Sequence, residues 1–429
     1  MVTELSWLTP SVAVALAAAG LLGATGALVG SFTLLRRESL LGDALAHASL
    51  PGICIAYLLT GSRAPLVLLA GAMLAALVGA GVIVAIRRGS RIKEDAAIGI
   101  VLSVFFGLGI VLLTRIQRME LGDKAGLDRF LFGQAASLSR GDLALIAIVF
   151  AVVLGATLAF FPLLRVLAFD RDFGRSLGLP MGVVEAGLTL ALVAVVVVGL
   201  QMVGVILIIA TLVTPAAAAR QWTDSLGVML TLAAGIGSVS ALIGAAISAR
   251  AAGVPTGPAI VLLSSGVLIV SLLFAPRRGL LAARQRRRRA ARTIREENLL
   301  KDIYRATEDA GDLAGSVPLA LLLGLRRVSP RRLRRTMGLL RRGGLLRDEG
   351  DTLRLTDAGR RAAAGVVRRH RLWELYLTRR LELAPDHVHR DAEAMEHVLS
   401  EQTVERIDDL LGRPVTDPHG RNIPRDEEA

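Results

Sequence analysis

Asp43 and His47 stand four residues apart inside LLGDALAHASLPGICIAYLLTG, a stretch that is otherwise mostly apolar and long enough to cross a membrane. At i and i+4 on a helix the two side chains share one face. A charged residue at the centre of a membrane helix costs about 2.5–3.5 kcal/mol on insertion scales, so it is expected to face a partner or a water-filled path. A carboxylate oxygen and an imidazole nitrogen together suit divalent manganese, iron or zinc. The plain alternative puts both residues in the headgroup zone at the helix start, where they only hydrogen-bond.

A second set lies far downstream. Glu393, Glu396 and His397 stand at i, i+3 and i+4, which is one helical face, and His389 precedes Glu393 by four. His370 and Glu374 form another i, i+4 pair. Two His/carboxylate clusters on neighbouring helices could converge on a divalent metal, and solvated helix faces with salt bridges are the alternative.

The elements that must carry these groups fall into two unlike halves. The chain has 429 residues, 53% hydrophobic, with a mean hydropathy of +0.56 and a formal net charge of +13. Up to Pro276 there are 17 Lys+Arg and 13 Asp+Glu; from Arg277 on there are 33 and 24. Five of the six histidines lie in the second half. This is the pattern of a membrane domain followed by a soluble basic domain. Cys54 is the sole cysteine, so no intrachain disulfide forms. The first residues, MVTELSW, lack the basic start of a secretory signal, and the apolar run behind them reads as a retained membrane helix.

Spans are expected at 11–35, 40–60, 65–86, 96–114, 141–161, 183–200, 202–219, 226–248 and 259–275, with Gln201 as the polar break between the sixth and seventh. The basic stretches Arg87–Lys93 and Arg165–Arg175, and the run after Arg277, orient all three toward the cytosol. Nine spans satisfy this and leave the N-terminus and the 115–140 loop outside. The chain holds three lysines, Lys93, Lys124 and Lys301, and none is followed by Ser or Thr. A Walker A loop is therefore absent, and ATP hydrolysis is expected in a separate subunit.

Between two spans, Phe169–Leu179 alternates charge with Phe and Leu, as a short amphipathic helix seated on a soluble partner would, or one lying on lipid. The arginine run RRGLLAARQRRRRAARTIREE reads first as a stop-transfer signal and lipid anchor. Beyond it, Ser329 is placed to cap a helix with Pro330 in its first turn. Leu333, Met337 and Leu340 form its apolar stripe, Arg331, Arg332, Arg334 and Arg335 its exposed side, and Gly343–Gly344 its stop. LLRDEGDTLRLT follows as two short strands around a turn. This is the grammar of a winged helix-turn-helix, in which arginines of the recognition helix meet phosphates and guanine. A basic helix resting on lipid headgroups is the alternative.

The membrane half resembles the permease subunits of bacterial ABC importers for manganese, zinc and iron. The resemblance covers about residues 10–276 and rests on LLGDALAHASLPGICIAYLLTG, AFDRDFGRSLGLP, QMVGVILIIATLVTPAAAA and GVPTGPAIVLLSSG, in that order. It implies that Asp43 and His47 line the metal path. It also implies that Phe169, Arg171, Phe173, Arg175, Leu177 and Gly178 belong to the segment that couples to the ATP-binding subunit. Two permease copies and an extracytoplasmic metal-binding protein complete the expected assembly, in the bacterial cytoplasmic membrane.

Residues from about 292 to 424 resemble the metal-dependent transcriptional repressors related to the diphtheria-toxin repressor, through the winged helix and the motifs RRH, HRDAEAMEH and DPHG. That resemblance implies Glu393, Glu396 and His397 as primary metal ligands and His370, Glu374 and His389 as an ancillary set. A glutamate at 393 resembles the manganese-sensing branch. Asn298 falls at a first-helix ligand position, and Lys301 falls where the manganese branch has a second acidic ligand. A protonated lysine has no lone pair, so one ion per protomer is expected rather than two. No further domain is expected past this region.

The expected fold is thus mainly α. A polytopic permease occupies 1–276, a basic juxtamembrane linker 277–291, a winged helix-turn-helix 292–364 and a helical metal-binding and dimerisation domain 365–429, the last two cytosolic. The expected function is the permease subunit of an ABC importer for divalent metal, manganese first, with zinc or iron as alternatives, fused to a cytosolic metal-sensing winged-helix domain through which DNA is a further expected partner. The rival readings are a membrane-tethered, metal-responsive DNA-binding regulator and a soluble half that dimerises and gates without meeting DNA.

Overall fold

The computed structural model describes residues 9–118, 138–205, 207–251, 253–325, 329–384, 388, 392–393 and 395–425. The chain divides into two compact units, Met1–Ala283 and Arg284–Ala429.

The first unit is entirely helical among the described residues. It runs α1 (Pro10–Leu35), α2 (Leu41–Thr60), α3 (Pro65–Gly89), α4 (Glu94–Arg118), α5 (Arg140–Ala159), the short α6 (Phe161–Phe169) and α7 (Arg171–Ser176), α8 (Met181–Val203), α9 (Ile208–Trp222), α10 (Leu226–Arg250) and α11 (Thr256–Phe274). Eight of these are long and apolar enough to cross a membrane; the exceptions are α6, α7 and α9. The expectation of about nine spans roughly fits, with the difference at the sixth and seventh. Helix α8 continues through Gln201 to Val203, and the chain turns at Gly204, whose φ of 85° favours glycine. The span expected at 202–219 is instead the 15-residue α9, about 22 Å long at 1.5 Å per residue and short of the ~30 Å hydrocarbon core. Most of the 115–140 loop, residues 119–137, lies outside the described residues.

Close helix packing rests on small residues, because lipid supplies no hydrophobic force between helices. Gly23 of α1 faces Gly237 of α10: a Cβ added at Gly23 would come within 2.3 Å of the Gly237 carbonyl oxygen, and the reverse holds at the same distance. Gly52 and Gly71 bring α2 against α3 in the same way. Helix α2 is thus fixed on α3 and also packs on α4 and α8, which sets the position of Asp43 and His47.

The second unit contains most of α12 (Leu280–Asp309), then β1 (Ser316–Pro318), α13 (Leu319–Leu325), α14 (Pro330–Arg342), β2 (Leu346–Asp348), β3 (Thr352–Leu355), α15 (Asp357–Arg380) and α16 (Glu401–Leu410). The arginine-rich stretch is therefore helical from Leu280 on rather than an irregular linker. The sheet order is β1-β3-β2, antiparallel throughout, with Leu346 opposite Leu355 and Val317 opposite Leu353. Its inward residues close a core with Ile303 and Tyr304 of α12, Leu333, Met337 and Leu340 of α14, and Val367 of α15. A second core joins Leu372 and Leu375 of α15 to Val404 and Ile407 of α16.

Candidate functional site

In α2 the His47 Nε2 lies 3.5 Å from Asp43 Oδ1, beyond the usual hydrogen-bond range of about 2.7–3.2 Å. The pair is loosely held and each side chain keeps some access, 15% for His47 and 25% for Asp43, in a helix whose neighbours are mostly buried. The His47 ring meets the edge of Phe106 from α4 at 4.7 Å, and its Nδ1 is buried without a partner. Pro51, four residues on, has no N–H to give to the His47 carbonyl, so the helical ladder is interrupted next to the pair. An oxygen and a nitrogen on one face, not locked to each other, can open to take a passing dication.

The segment expected to couple to an ATP-binding subunit divides between two short helices. Asp170 caps α7 by accepting from the Phe173 N–H at 2.8 Å. Phe169, Phe173 and Leu177 are all more than half exposed, and Gly178 turns the chain at φ 75°. Arg175 is exposed beside Asp172 at 3.4 Å. Arg171 behaves differently, turning inward to donate to Glu185 of α8. The same Glu185 carboxylate accepts from Arg36 at 2.8 Å and from Arg87 at 3.0 Å, and Glu38 and Glu94 complete the network. Sequence reasoning missed this cluster. Its one local signal is that Glu185 is the only ionisable residue in the 183–200 span.

In the second unit several of the expected ligand residues gather around a lysine. Lys301 Nζ is fully buried, 2.5 Å from Glu396 Oε1 and 3.8 Å from Glu393 Oε1. Glu396 Oε2 is 2.5 Å from His370 Nδ1, and His370 Nε2 is 3.1 Å from Glu374. His370 thus lies between the two sets, against Glu396 of one and Glu374 of the other. His397 places Nδ1 2.5 Å from Glu297 and Nε2 3.3 Å from Glu396, and Arg369 closes on Glu297 at 3.0 Å. Asn298 Oδ1 is buried without a partner. His389 lies outside the described residues.

Burial pulls the Lys301 ammonium below the ordinary lysine value while Glu396 pushes back. Burial also raises the Glu396 carboxyl, but the His370 hydrogen bond and the Lys301 charge outweigh it and hold it below the usual carboxylate range. The pair is a salt bridge. A divalent ion at Glu396 would need the oxygens that Lys301 and His370 now engage. These residues, as they stand, do not fit a metal there, and no group of three or more His, Cys, Asp or Glu among the described residues is arranged to hold one.

Around this centre Arg371, fully buried, donates to both oxygens of Glu308 at 2.9 and 2.5 Å and to the Asn422 carbonyl. Asp417 of the DPHG turn accepts from the His419 and Arg421 N–H groups at 2.9 and 2.8 Å. That motif ties the C-terminal loop to α15 and α12. On α14, Arg331, Arg332, Arg334 and Arg335 are exposed opposite the buried stripe. Ser329 sits at the N-cap with extended backbone, yet its side chain makes no capping hydrogen bond; Pro330 begins the helix as expected.

Comparison with known proteins agrees with this division. Residues 9–275 match the ABC 3 transport family, and residues 356–425 match the iron dependent repressor metal binding and dimerisation domain. The manganese transport system membrane protein MntC of Bacillus subtilis is 40% identical over 410 residues, 95% of this chain and 93% of that protein. The zinc transport system membrane protein TroC of Treponema pallidum is 48% identical over 271 residues, 63% of this chain and 91% of that protein. Among solved structures, PsaBC from Streptococcus pneumoniae in complex with Fab has 32% identity and a TM-score of 0.57, covering 64% of this chain and 96% of that one. With a matching family over more than half its length and a relative aligned almost end to end, the chain belongs to the ABC 3 transport family, as a multi-pass membrane protein with a repressor-like domain fused at its C-terminal side.

Proposed function

We propose that the chain is the permease subunit of an ABC importer for a divalent metal ion, manganese first and zinc or iron as alternatives. The observation that carries this is the loosely held Asp43–His47 pair in α2, with His47 Nδ1 unpartnered, in a helix otherwise apolar. The names of the relatives MntC and TroC support manganese or zinc as cargo. A two-residue ligand pair binds weakly enough to release its ion, which conduction requires.

In this reading ATP is hydrolysed by a separate subunit, docked on Phe169, Phe173 and Leu177, while Arg171 links that surface to Glu185. Two permease copies form the pore, and an extracytoplasmic metal-binding protein delivers the ion. The membrane part spans 1–276, and the rest is cytosolic, with a winged helix at 292–364 and a helical domain at 365–429. Supporting a second role, the four exposed arginines of α14 offer phosphate contacts to DNA. The test is metal accumulation by cells carrying the chain with its transport partners. Uptake of manganese, zinc and iron unchanged on deleting the chain would end the reading.

A further inference from the structure

The repressor-like domain matches a metal-binding family, yet the place where an ion would sit on Glu396 is taken by the chain's own cation. We infer that the Lys301 ammonium stands in for a divalent ion at Glu396, so that α12, α15 and the turn carrying Glu396 are held together with no metal bound there. Lys301 reaches Glu396 across 95 residues of sequence and is fully buried on arrival. An ammonium is a compact point charge with three donors and no acceptor. Here it lies 2.5 Å from one carboxylate and 3.8 Å from another, supplying the positive charge that a metal would bring.

Ligand atoms of Glu396 and His397 are also committed, while Asn298 Oδ1 is left without a partner. The second Glu396 oxygen is 2.5 Å from His370, and both His397 nitrogens lie near carboxylates, Glu297 and Glu396. A dication entering beside Lys301 would meet a like charge that is, with Glu396, fully buried, where screening is weak. The consequence is regulatory. A carboxylate at position 301 would leave the cluster in need of an ion to neutralise it; Lys301 supplies that charge from the chain itself. Its soluble unit keeps this arrangement whether metal is scarce or abundant. The inference rests on reading the unit as repressor-like and is independent of what the membrane unit transports.

The test uses the full chain in detergent, stripped with chelator, in a background carrying Asp43→Ala and His47→Ala so that ions in the transport path are not counted. Manganese(II) alone is the probe, and the loss of its free-ion electron paramagnetic resonance signal reports binding. We expect no bound ion that Glu396→Gln abolishes, and we expect Lys301→Glu to create one per chain. An ion already bound in the background and lost with Glu396→Gln overturns the inference, as does Lys301→Glu with no gain. Limited proteolysis of the wild-type chain decides the matter without any Lys301 variant. Manganese at 100 times the dissociation constant of a working site would slow opening of the soluble unit about 100-fold. We expect less than about a twofold change, and slowing of about tenfold or more overturns the inference. Uptake enters neither readout, so the permease proposal and this one fail separately.

Discussion

The guanidinium of Arg36, at the end of α1, lies 2.8 Å from the carboxylate of Glu185, near the start of α8. The same carboxylate holds Arg87 from α3 and Arg171 from α7. One acidic side chain, 12% exposed, thus gathers three cations from three parts of the fold. Glu185→Gln removes the anion the three share: Arg36 and Arg87 keep Glu38 and Glu94, while Arg171 loses its carboxylate. The expected loss is about 3 kcal/mol, the lower end of what breaking a buried pair costs. Thermal unfolding of the detergent-solubilised chain measures it, and an unchanged melting temperature would show that the network carries no stability.

Asp43→Ala and His47→Ala each remove one of the two donors on the shared face of α2. Cellular accumulation of manganese should fall by about tenfold or more in each, equivalent to losing ~1.4 kcal/mol of ligand interaction. The protein should remain in the membrane fraction at its normal amount. Normal uptake by both variants would remove these residues from the path.

Phe173 is 54% exposed on α7, where Gly174 is the buried residue. Phe173→Asp should abolish copurification with the ATP-binding subunit while leaving thermal unfolding unchanged, because an apolar anchor in a docking groove is replaced by a charge. The purified chain alone should show no ATP hydrolysis, since no lysine is followed by Ser or Thr. Intrinsic ATPase activity, or full copurification by the variant, would contradict the docking surface.

The exposed arginines of α14 make a salt-sensitive prediction. If Arg331, Arg332, Arg334 and Arg335 meet DNA phosphates, each Arg→Ala change should lower the slope of log affinity against log salt by about one. The folded unit should tolerate these changes, because all four side chains point away from Leu333, Met337 and Leu340. Binding with an unaltered slope in the combined variant would assign DNA contact to another surface, or to none.

Much of this molecule is readable from local pattern. Apolar runs of sufficient length located the long helices, because crossing lipid demands an unbroken apolar stretch. The Pro330 start, the Leu333–Met337–Leu340 stripe and the Gly343–Gly344 stop located α14, because helix period and end chemistry are properties of neighbouring residues. The i, i+4 pairs Asp43–His47 and His370–Glu374 were legible for the same reason. Strand β1 was not: three residues of strand carry no pattern of their own and form only against β3.

What the chain could not show by itself are the partners made across long separations. Lys301 reads in sequence as a cation in the wrong place for a metal; only the fold sets it, fully buried, on Glu396. His370 and Glu396 belong to different motifs and meet because α15 packs α12 and the Glu396 turn on its buried side. Glu185 is a single acid in an apolar span until three arginines from distant segments close on it. Periodicity records which face of an element is buried. Which charge it meets there depends on the packing of elements far apart in the chain, and in a low-dielectric interior that pairing decides whether a buried charge is tolerated at all.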